Sequence, residues 1–444
     1  MNPLNRSDAY YLLFFFMVVI AIGTVFLMLP VSWVGFPGDN NPLALVDALF
    51  TATSAVCVTG LSTVNTTGFS RFGQIIIMLL IQIGGLGIVS FTSILMTIPG
   101  NRIPLRRLNT IRSFSVQGVE YNAKKIVRNI ILFTFCIEAV GAALLSMFFY
   151  YAGIEDWFFA GIFHAVSSFC NAGFSNFSDN LSGFTFNIPV QTVIMLLIIS
   201  GGLGFIVLND TIRRIFRKKK RLSYHSTVVL AMTGILIILG AVWFLIMEYN
   251  RSYAGMDFPV ALSNAFFQAV TPRTAGFETV PQNILCDPSK IMTSVLMIIG
   301  GAPGSIAGGV KITTIFVVVA VLINRPDKNG DIKIRRHRLG AETIHNGILY
   351  FLKAIVLLLI CITLLSIVEN RDGASIEWII FEVFSAFGTV GLTLGLTPEL
   401  SVLGKIVVVA TMFAGRVGLI ALAFPKSRHK IYDITYPEGN IILG

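Results

Sequence analysis

The chain has 444 residues, of which 55% are hydrophobic and 13% charged, and its formal net charge is +10. So few charged residues exclude an ordinary soluble domain, and apolar runs of about 20 residues are long enough to cross a bilayer. The basic residues cluster directly after apolar runs, a pattern that fixes topology rather than nucleic-acid binding. We therefore expect a multi-pass membrane protein that contacts lipid and no nucleic acid.

In chain order, the same set of elements is predicted four times: an apolar helix, a shorter half-helix, a glycine-centred turn and a returning helix. The four units span residues 1–112, 113–221, 222–339 and 340–444. The first helices are predicted at Tyr10–Leu29, Ile130–Tyr151, Thr227–Met247 and Gly347–Val368. The half-helices, too short to span a bilayer, are predicted at Ala44–Ala55, Trp157–Ser168, Pro259–Val270 and Ile376–Phe387. The returning helices are predicted at Phe72–Ile98, Pro189–Leu208, Ser289–Ile323 and Val402–Phe424.

The expected fold is therefore an all-α membrane protein, with eight transmembrane helices and four re-entrant pore half-helices around one central pore. Basic clusters follow the returning helices and place both termini on the inner side. These clusters include Arg102, Arg106, Arg107 and Arg112, then Arg213–Arg221, then Arg325–Arg338, and finally Lys426, Arg428 and Lys430.

The repeat is defined by four glycines, Gly60, Gly173, Gly276 and Gly391. A phenylalanine precedes each glycine by ten positions, and a large apolar residue follows it. Serine lies six positions before the glycine in three copies, whereas Val270 occupies this place in the third. An internal repeat of this kind predicts quasi-equivalent units around one axis.

Each glycine turn is predicted to contribute to a cation filter. Several main-chain carbonyl oxygens can together replace the hydration shell of a potassium ion, and glycine permits the backbone conformations that this requires. The alternative is a set of simple helix breaks packed against neighbouring helices. The predicted filter residues are Val58, Thr59, Gly60, Leu61, Asn171, Ala172, Gly173, Phe174, Thr274, Ala275, Gly276, Phe277, Thr389, Val390, Gly391 and Leu392.

The third returning helix contains the segment GGAPGSIAGG, which cannot form a continuous helix because of its glycines and proline. Irregular backbone at membrane depth must line a cavity or be buried in protein, so we predict a gate beneath the filter; a static hinge is the alternative. Arg416 lies in the middle of the last helix, where a charge usually faces a polar path or forms a buried ion pair. The predicted gating residues are Gly300, Gly301, Ala302, Pro303, Gly304, Ser305, Gly308, Gly309, Lys311 and Arg416.

Four further polar residues receive structural interpretations. Arg273 is expected to support the third turn by hydrogen bonds, the alternative being a place at the outer mouth. His164, Gln268 and Glu382 are expected to satisfy nearby backbone groups. The five cysteines match no metal motif, and no nucleophile–base pair, phosphate loop or metal motif is found, so the sequence predicts no enzyme, no catalytic residue and no organic cofactor.

These motifs resemble those of the Trk/Ktr/HKT superfamily of potassium-translocating membrane subunits over essentially the full length. The sequence GTVGL at 388–392 is similar to the potassium-channel filter TVGYG, and the other three turns are degenerate versions. The resemblance implies one four-fold pseudo-symmetric pore per chain, with potassium at the filter residues, and a gate loop that Arg416 contacts. Glycine rather than serine at Gly60 implies potassium over sodium.

Length and loop pattern are most similar to the bacterial Ktr membrane subunit of the KtrB/KtrD type. That resemblance implies a homodimer in the bacterial cell membrane, resting on a cytosolic nucleotide-binding RCK ring of the KtrA/KtrC kind. Sodium dependence is left open. A symporter that couples potassium to sodium or protons is the alternative, although its usual inverted repeats are not seen, since the four repeats run in parallel. A membrane-bound enzyme or receptor has no motif in its favour.

Overall fold

A computed structural model describes residues 4–35, 42–97, 123–216, 221–334, 337–369 and 375–418. The first two repeats contain α1 (Leu4–Leu27), α2 (Leu45–Cys57), α3 (Arg71–Thr97), α4 (Ala123–Tyr151), α5 (Trp157–Phe169), α6 (Ile188–Leu203) and α7 (Phe205–Ile215). The third contains α8 (Tyr224–Glu248), α9 (Phe258–Val270), α10 (Asp287–Ile298) and α11 (Ile312–Ile323), followed by strands β1 (Ile332–Ile334) and β2 (His337–Leu339). The fourth contains α12 (Ala341–Glu369), α13 (Ile376–Gly388), α14 (Leu396–Glu399) and α15 (Val402–Phe413), which continues as a π-turn at Ala414–Gly418.

The half-helices α2, α5, α9 and α13 pack in a closed cycle. Each one contacts the returning helix of the preceding repeat: α5 contacts α3, α9 contacts α6, α13 contacts α10, and α2 contacts α15. We call each of these four contacts a seam. Because the last seam joins the fourth repeat to the first, the chain forms a ring of four units rather than an open row.

Three helices of the described chain are long and apolar enough to cross a membrane: Val127–Tyr151, α8 and α12. The bent pair α6–α7 raises this number to four if it is counted as one span. In the apolar 18-residue stretch of each long helix, only 22–33% is buried within the protein. Large apolar side chains such as Phe14 and Ile367 are exposed, as expected for surfaces that face lipid. The eight-span count stays a prediction.

The sequence predicts one returning helix over Pro189–Leu208, with Gly204 inside it, but the structure has two helices there. The helix breaks at Gly204, where φ is +78°, and α7 leaves α6 at an angle of 109°. The break is stabilised from another repeat, because the amide of Phe205 donates to the Gly304 carbonyl at 3.3 Å and the amide of Ala302 donates to the Gly202 carbonyl at 2.9 Å.

The connection between α11 and α12 forms a small antiparallel hairpin, β1–β2, that the sequence analysis does not predict. Asp331 stabilises the open end of this hairpin. Its carboxylate accepts a hydrogen bond from the Ala341 amide at 2.9 Å and forms an ion pair with Arg338 at 2.8 Å. The backbone amide of Asp331 in turn donates to the Asp327 carboxylate, and this bond lowers the pKa of Asp327. The basic stretch at 102–112, Lys218–Lys220, Arg335, Arg336, the end of the predicted last helix and the basic tail lie outside the described residues.

Candidate functional site

The four predicted turns share one backbone conformation. A non-glycine residue with positive φ lies two positions before each glycine: Val58 (57°), Asn171 (56°), Thr274 (73°) and Thr389 (50°). The glycines themselves have φ values of 93°, 69°, 74° and 98° in chain order. Positive φ is uncommon outside glycine, so its recurrence at four equivalent positions identifies a common structural motif.

The glycines meet in a ring. Each glycine lies beside the Cα of the next one: Gly60 beside Gly173, Gly173 beside Gly276, Gly276 beside Gly391, and Gly391 beside Gly60. The carbonyl oxygen of the residue before each glycine lies against the glycine of the adjacent turn: a Cβ added at Gly60, Gly173, Gly276 or Gly391 would meet the oxygen of Ala172, Ala275, Val390 or Thr59, respectively. The ring therefore brings together four equivalent main-chain oxygens and leaves no space for side chains on the glycines.

Hydroxyl groups of the half-helices support these turns in two ways. Ser54 and Ser385 accept hydrogen bonds from the amides of Gly60 and Gly391, at 3.0 and 3.1 Å. In the other two repeats the hydroxyl instead donates to the carbonyl that follows the glycine, as Ser167 does to Phe174 at 2.7 Å. The ring is thus built from two kinds of turn, with the first and fourth repeats alike and the second and third alike.

In the third repeat the supporting hydroxyl lies five positions before the glycine rather than six, which corrects two predicted equivalences. Thr271, not Val270, supplies the hydroxyl, and it donates to the Phe277 carbonyl at 2.6 Å. Similarly, Phe267 is fully buried whereas Phe266 is only partly so, and the phenylalanines ten positions before the other three glycines are buried. The sequence did contain a signal for this shift, because the hydroxyl of Thr271 directly follows Val270, the position at which serine is expected.

Polar side chains behind the turns find different partners. His164 bonds the Ala160 carbonyl at 2.8 Å and the Ser175 hydroxyl at 2.9 Å, so its predicted backbone bond is confirmed. Glu382 accepts hydrogen bonds from the hydroxyls of Thr393 and Thr397, not from backbone groups as predicted. Gln268 lies buried with no hydrogen-bond partner among the described residues, contrary to prediction.

The break in the third returning helix is confirmed, since residues 299–311 between α10 and α11 are not helical. The loop is closed at its base by the Gly300 amide, which donates to the Val310 carbonyl at 2.9 Å. It reaches the fourth glycine turn, because a Cβ added at Gly308 would overlap the Thr389 side chain. The loop therefore lies directly beside the ring of turns.

Two basic side chains donate hydrogen bonds to carbonyl oxygens of this loop. A guanidinium nitrogen of Arg416, which is 3% exposed, donates to the Ile306 carbonyl, and the Lys311 ammonium donates to the Ala307 carbonyl at 2.5 Å. Neither cation forms an ion pair within the described part of the chain, so a buried ion pair does not account for Arg416 there. Arg416 thus ties the loop to the end of the last described helix, whereas Lys311 makes a bond within the loop itself.

Sequence comparison identifies the family at this point. The family profile for TrkH, described as a cation transport protein, matches residues 6–429. The chain belongs to the TrkH family. This confirms the resemblance that the filter motifs indicate.

Individual relatives of this TrkH-family chain cover nearly all of it. It is 38% identical to a potassium/sodium uptake protein, NtpJ, of Enterococcus hirae, over 97% of this chain and 95% of that protein. It is 36% identical to the Ktr system potassium uptake protein B of Bacillus subtilis, over 97% and 95% of the two chains. The crystal structure of the potassium transporter TrkH from Vibrio parahaemolyticus superposes with a TM-score of 0.73 at 17% identity, covering 94% of this chain and 84% of that one, which supports the fold.

In this TrkH-family chain, Arg273 lies beside the loop at 299–311. Its guanidinium contacts the Thr233 hydroxyl of α8 at 3.5 Å, and the side chain lines a small cavity with Gly202 and Gly301. The hydrogen bond therefore joins Arg273 to α8, the first helix of its own repeat. The sequence analysis instead expects Arg273 to support the third turn.

Proposed function

We propose that this chain takes up potassium through the ring formed by Gly60, Gly173, Gly276 and Gly391. The observation that carries the proposal is the closed cycle in which each glycine abuts the main-chain oxygen of the adjacent turn. Four such oxygens at one level supply the kind of carbonyl ring that replaces the water around a cation. Uptake proteins for potassium among the relatives support the choice of ion.

The proposed architecture is four repeats, each with one re-entrant half-helix, around this single pathway. The C-terminal ends of the half-helices carry partial negative charge and precede the turns directly, which favours a cation at the centre. With the termini on the inner side of a bacterial cell membrane, an inside-negative potential would drive potassium inward. The residues predicted for the filter are the proposed potassium ligands and their immediate supports.

The loop at 299–311 is the proposed gate. Arg416 and Lys311 donate to two adjacent loop carbonyls, and the loop contacts the Thr389 side chain beside the ring. Ions leaving the ring toward the inner side would meet this loop and the positive charge of Arg416. Opening then requires these carbonyl contacts to break.

We further propose that the chain is the membrane subunit of a Ktr-type system: a homodimer, with one pathway in each protomer, under the control of a cytosolic nucleotide-binding RCK ring. This assignment is supported by the relatives named as Ktr uptake proteins B and D.

The test is potassium uptake in a bacterial strain that lacks its own potassium uptake systems. We expect the chain to restore growth at low potassium, and to do so more strongly with a co-expressed RCK subunit. Uptake measured with and without sodium gives the ion requirement. Absence of potassium uptake by protein that is present in the membrane would contradict the proposal, and strict stoichiometric coupling to sodium or protons would indicate a symporter instead.

A further inference from the structure

Polar side chains link the four repeats across every seam. Three seams carry an ion pair between a cation near the start of a returning helix and a carboxylate at the start of the next half-helix. These pairs are Arg71–Asp156 (2.5 Å), Lys290–Glu377 (3.3 Å) and Lys405–Asp47 (2.6 Å). The seam between the second and third repeats is neutral, and Gln191 there contacts Ser263 at 2.5 Å and Asn264 at 3.3 Å.

The pair that closes the ring differs from the other two ion pairs in its burial. The side chains of Lys405 and Asp47 are only 15% and 16% exposed, whereas Asp156 is 71% and Glu377 is 47% exposed. Exposed ion pairs contribute little because water screens them. Lys405–Asp47 is the least exposed of the three pairs, and it joins the two repeats that lie farthest apart in the sequence.

Asp47 also contacts the filter segment of its own repeat. Its Oδ1 atom, which receives the Lys405 ammonium at 2.6 Å, accepts a second hydrogen bond from the Thr63 hydroxyl at 2.6 Å. Thr63 lies three residues after Gly60 and is itself buried. One carboxylate oxygen thus connects the last returning helix, the first half-helix and the first filter turn.

We infer that Asp47 is a positioning residue for the first filter turn, and that Lys405 and Thr63 act with it to set how well the ring distinguishes potassium from sodium. This inference rests on the proposed function. Charge-assisted hydrogen bonds are short and directional, so Asp47 fixes both the distance between the first and fourth repeats and the path of the chain after Gly60. A filter made of main-chain oxygens discriminates ions only while its four turns keep their spacing.

The experiment compares Thr63→Val with Thr63→Ser in reconstituted vesicles. Valine has nearly the shape of threonine but cannot donate to Asp47, whereas serine retains the hydroxyl. We expect Thr63→Val to lower the ratio of initial potassium to sodium uptake by about three- to tenfold, the range that corresponds to one lost hydrogen bond. Thr63→Ser should keep the ratio of the unmodified protein.

Lys405→Met tests the other side of the linkage, since it removes the charge that holds Asp47 and should lower the same ratio. The matched control is Glu377→Gln, which breaks the ion pair of another seam; among the residues that the structure describes, this carboxylate makes no hydrogen bond to a filter turn. This control should lower the unfolding temperature at most and leave the ratio unchanged.

An unchanged ratio in both Thr63→Val and Lys405→Met, with folded protein of normal melting temperature, would overturn the inference. An equal loss of discrimination in Glu377→Gln would also overturn it, because the effect would then be general loosening of the ring. Failure of the unmodified protein to take up potassium would instead contradict the proposed function, so the two failures are distinguishable.

Discussion

Gly391 illustrates how two separate constraints act on one residue of the ring. Its φ of +98° is costly for any residue with a Cβ, and an added Cβ would fall on the Thr59 carbonyl oxygen of the adjacent turn. Gly395, four residues later, has a φ of +115° but open space around its Cβ position. The two glycines therefore separate backbone strain from disruption of the ring.

Gly391→Ser is expected to lower potassium-over-sodium discrimination about tenfold or more, or to abolish transport, because strain of about 1–3 kcal/mol adds to a direct clash with a filter oxygen. Gly395→Ser carries similar strain and should mainly lower stability. The measurement is uptake of both ions by vesicles with matched protein content. Full retention of selectivity by Gly391→Ser would show that this turn does not line the pathway.

At the residue scale, the sequence predicts the backbone positions that require glycine. It does not predict equivalences between repeats that depend on the exact number of intervening residues. The four ring positions follow from the shared glycines, because few other residues tolerate such backbone geometry. The equivalence of Thr271 with the serines does not follow, since Thr271 lies five rather than six positions before its glycine and a fixed offset selects Val270. Whether the ring residues bind potassium stays a prediction.

Among the secondary-structure elements, the half-helices agree with their predicted boundaries to within two residues. Each is bounded by strong local signals, namely an apolar run of limited length and a glycine turn. The break at Gly204 and the β1–β2 hairpin were not predicted, because the first is stabilised by the Gly304 and Gly202 carbonyl bonds and the second by Asp331. The bonds at the Gly204 break join segments of two different repeats and therefore leave no local pattern in the sequence.

The proposed gate at 299–311 gives a test at this scale. Deleting Ala302–Ala307 removes both carbonyls that Arg416 and Lys311 hold, and is expected to raise the ion flux. A hydrogen bond to a charged group contributes about 1.5–3 kcal/mol, so the loss of even one should favour the open state by about tenfold or more. Flux is measured as the rate of potassium loss from loaded vesicles.

The control for this deletion is Lys328→Gln, which removes an exposed charge from the connection between α11 and β1 and should not change the flux. Unchanged or lower flux in a folded deletion variant would indicate that the loop is a static hinge.

The glycines of the returning helices allow close backbone contact with the ends of the half-helices. A Cβ added at Gly84, Gly201 or Gly415 would overlap the carbonyl oxygen of Val56, Phe169 or Phe387, respectively. Small residues permit this close approach between helices.

Gly84→Ala is therefore expected to destabilise the protein by about 1–3 kcal/mol through overpacking. Gly234 lies in the middle of α8 with open space around its Cβ position, so Gly234→Ala should be neutral or stabilising by up to about 1 kcal/mol. Thermal unfolding in detergent compares the two variants. Equal melting temperatures would contradict the role of the close contact at Gly84.

For the whole molecule, the sequence predicts four units around one axis, but not which residues join the last unit to the first. Consecutive repeats are neighbours in most folds because the chain connects them, whereas nothing in the sequence identifies Lys405 as the partner of Asp47, 358 residues away. The family assignment is confirmed by the comparisons, and the orientation across the membrane stays a prediction.

Orientation can be tested by cysteine labelling. Glu155, between α4 and α5, and Lys328, between α11 and β1, are both exposed. A membrane-impermeant maleimide is expected to label Glu155→Cys in intact cells and Lys328→Cys only after the cells are permeabilised, because basic clusters favour the inner side. The unmodified chain, with its five native cysteines, provides the background, and the reverse labelling pattern would invert the proposed topology.

Ring closure through Lys405 and Asp47 has a consequence for biosynthesis. The ribosome synthesises the first half-helix long before the last returning helix. Asp47 therefore has no Lys405 to pair with while three further repeats are inserted into the bilayer. Until then its carboxylate depends on water or Thr63 for hydrogen bonds. Completion of the fourth repeat thus acts as the final assembly step, and a truncated product would lack the linkage that sets the first turn.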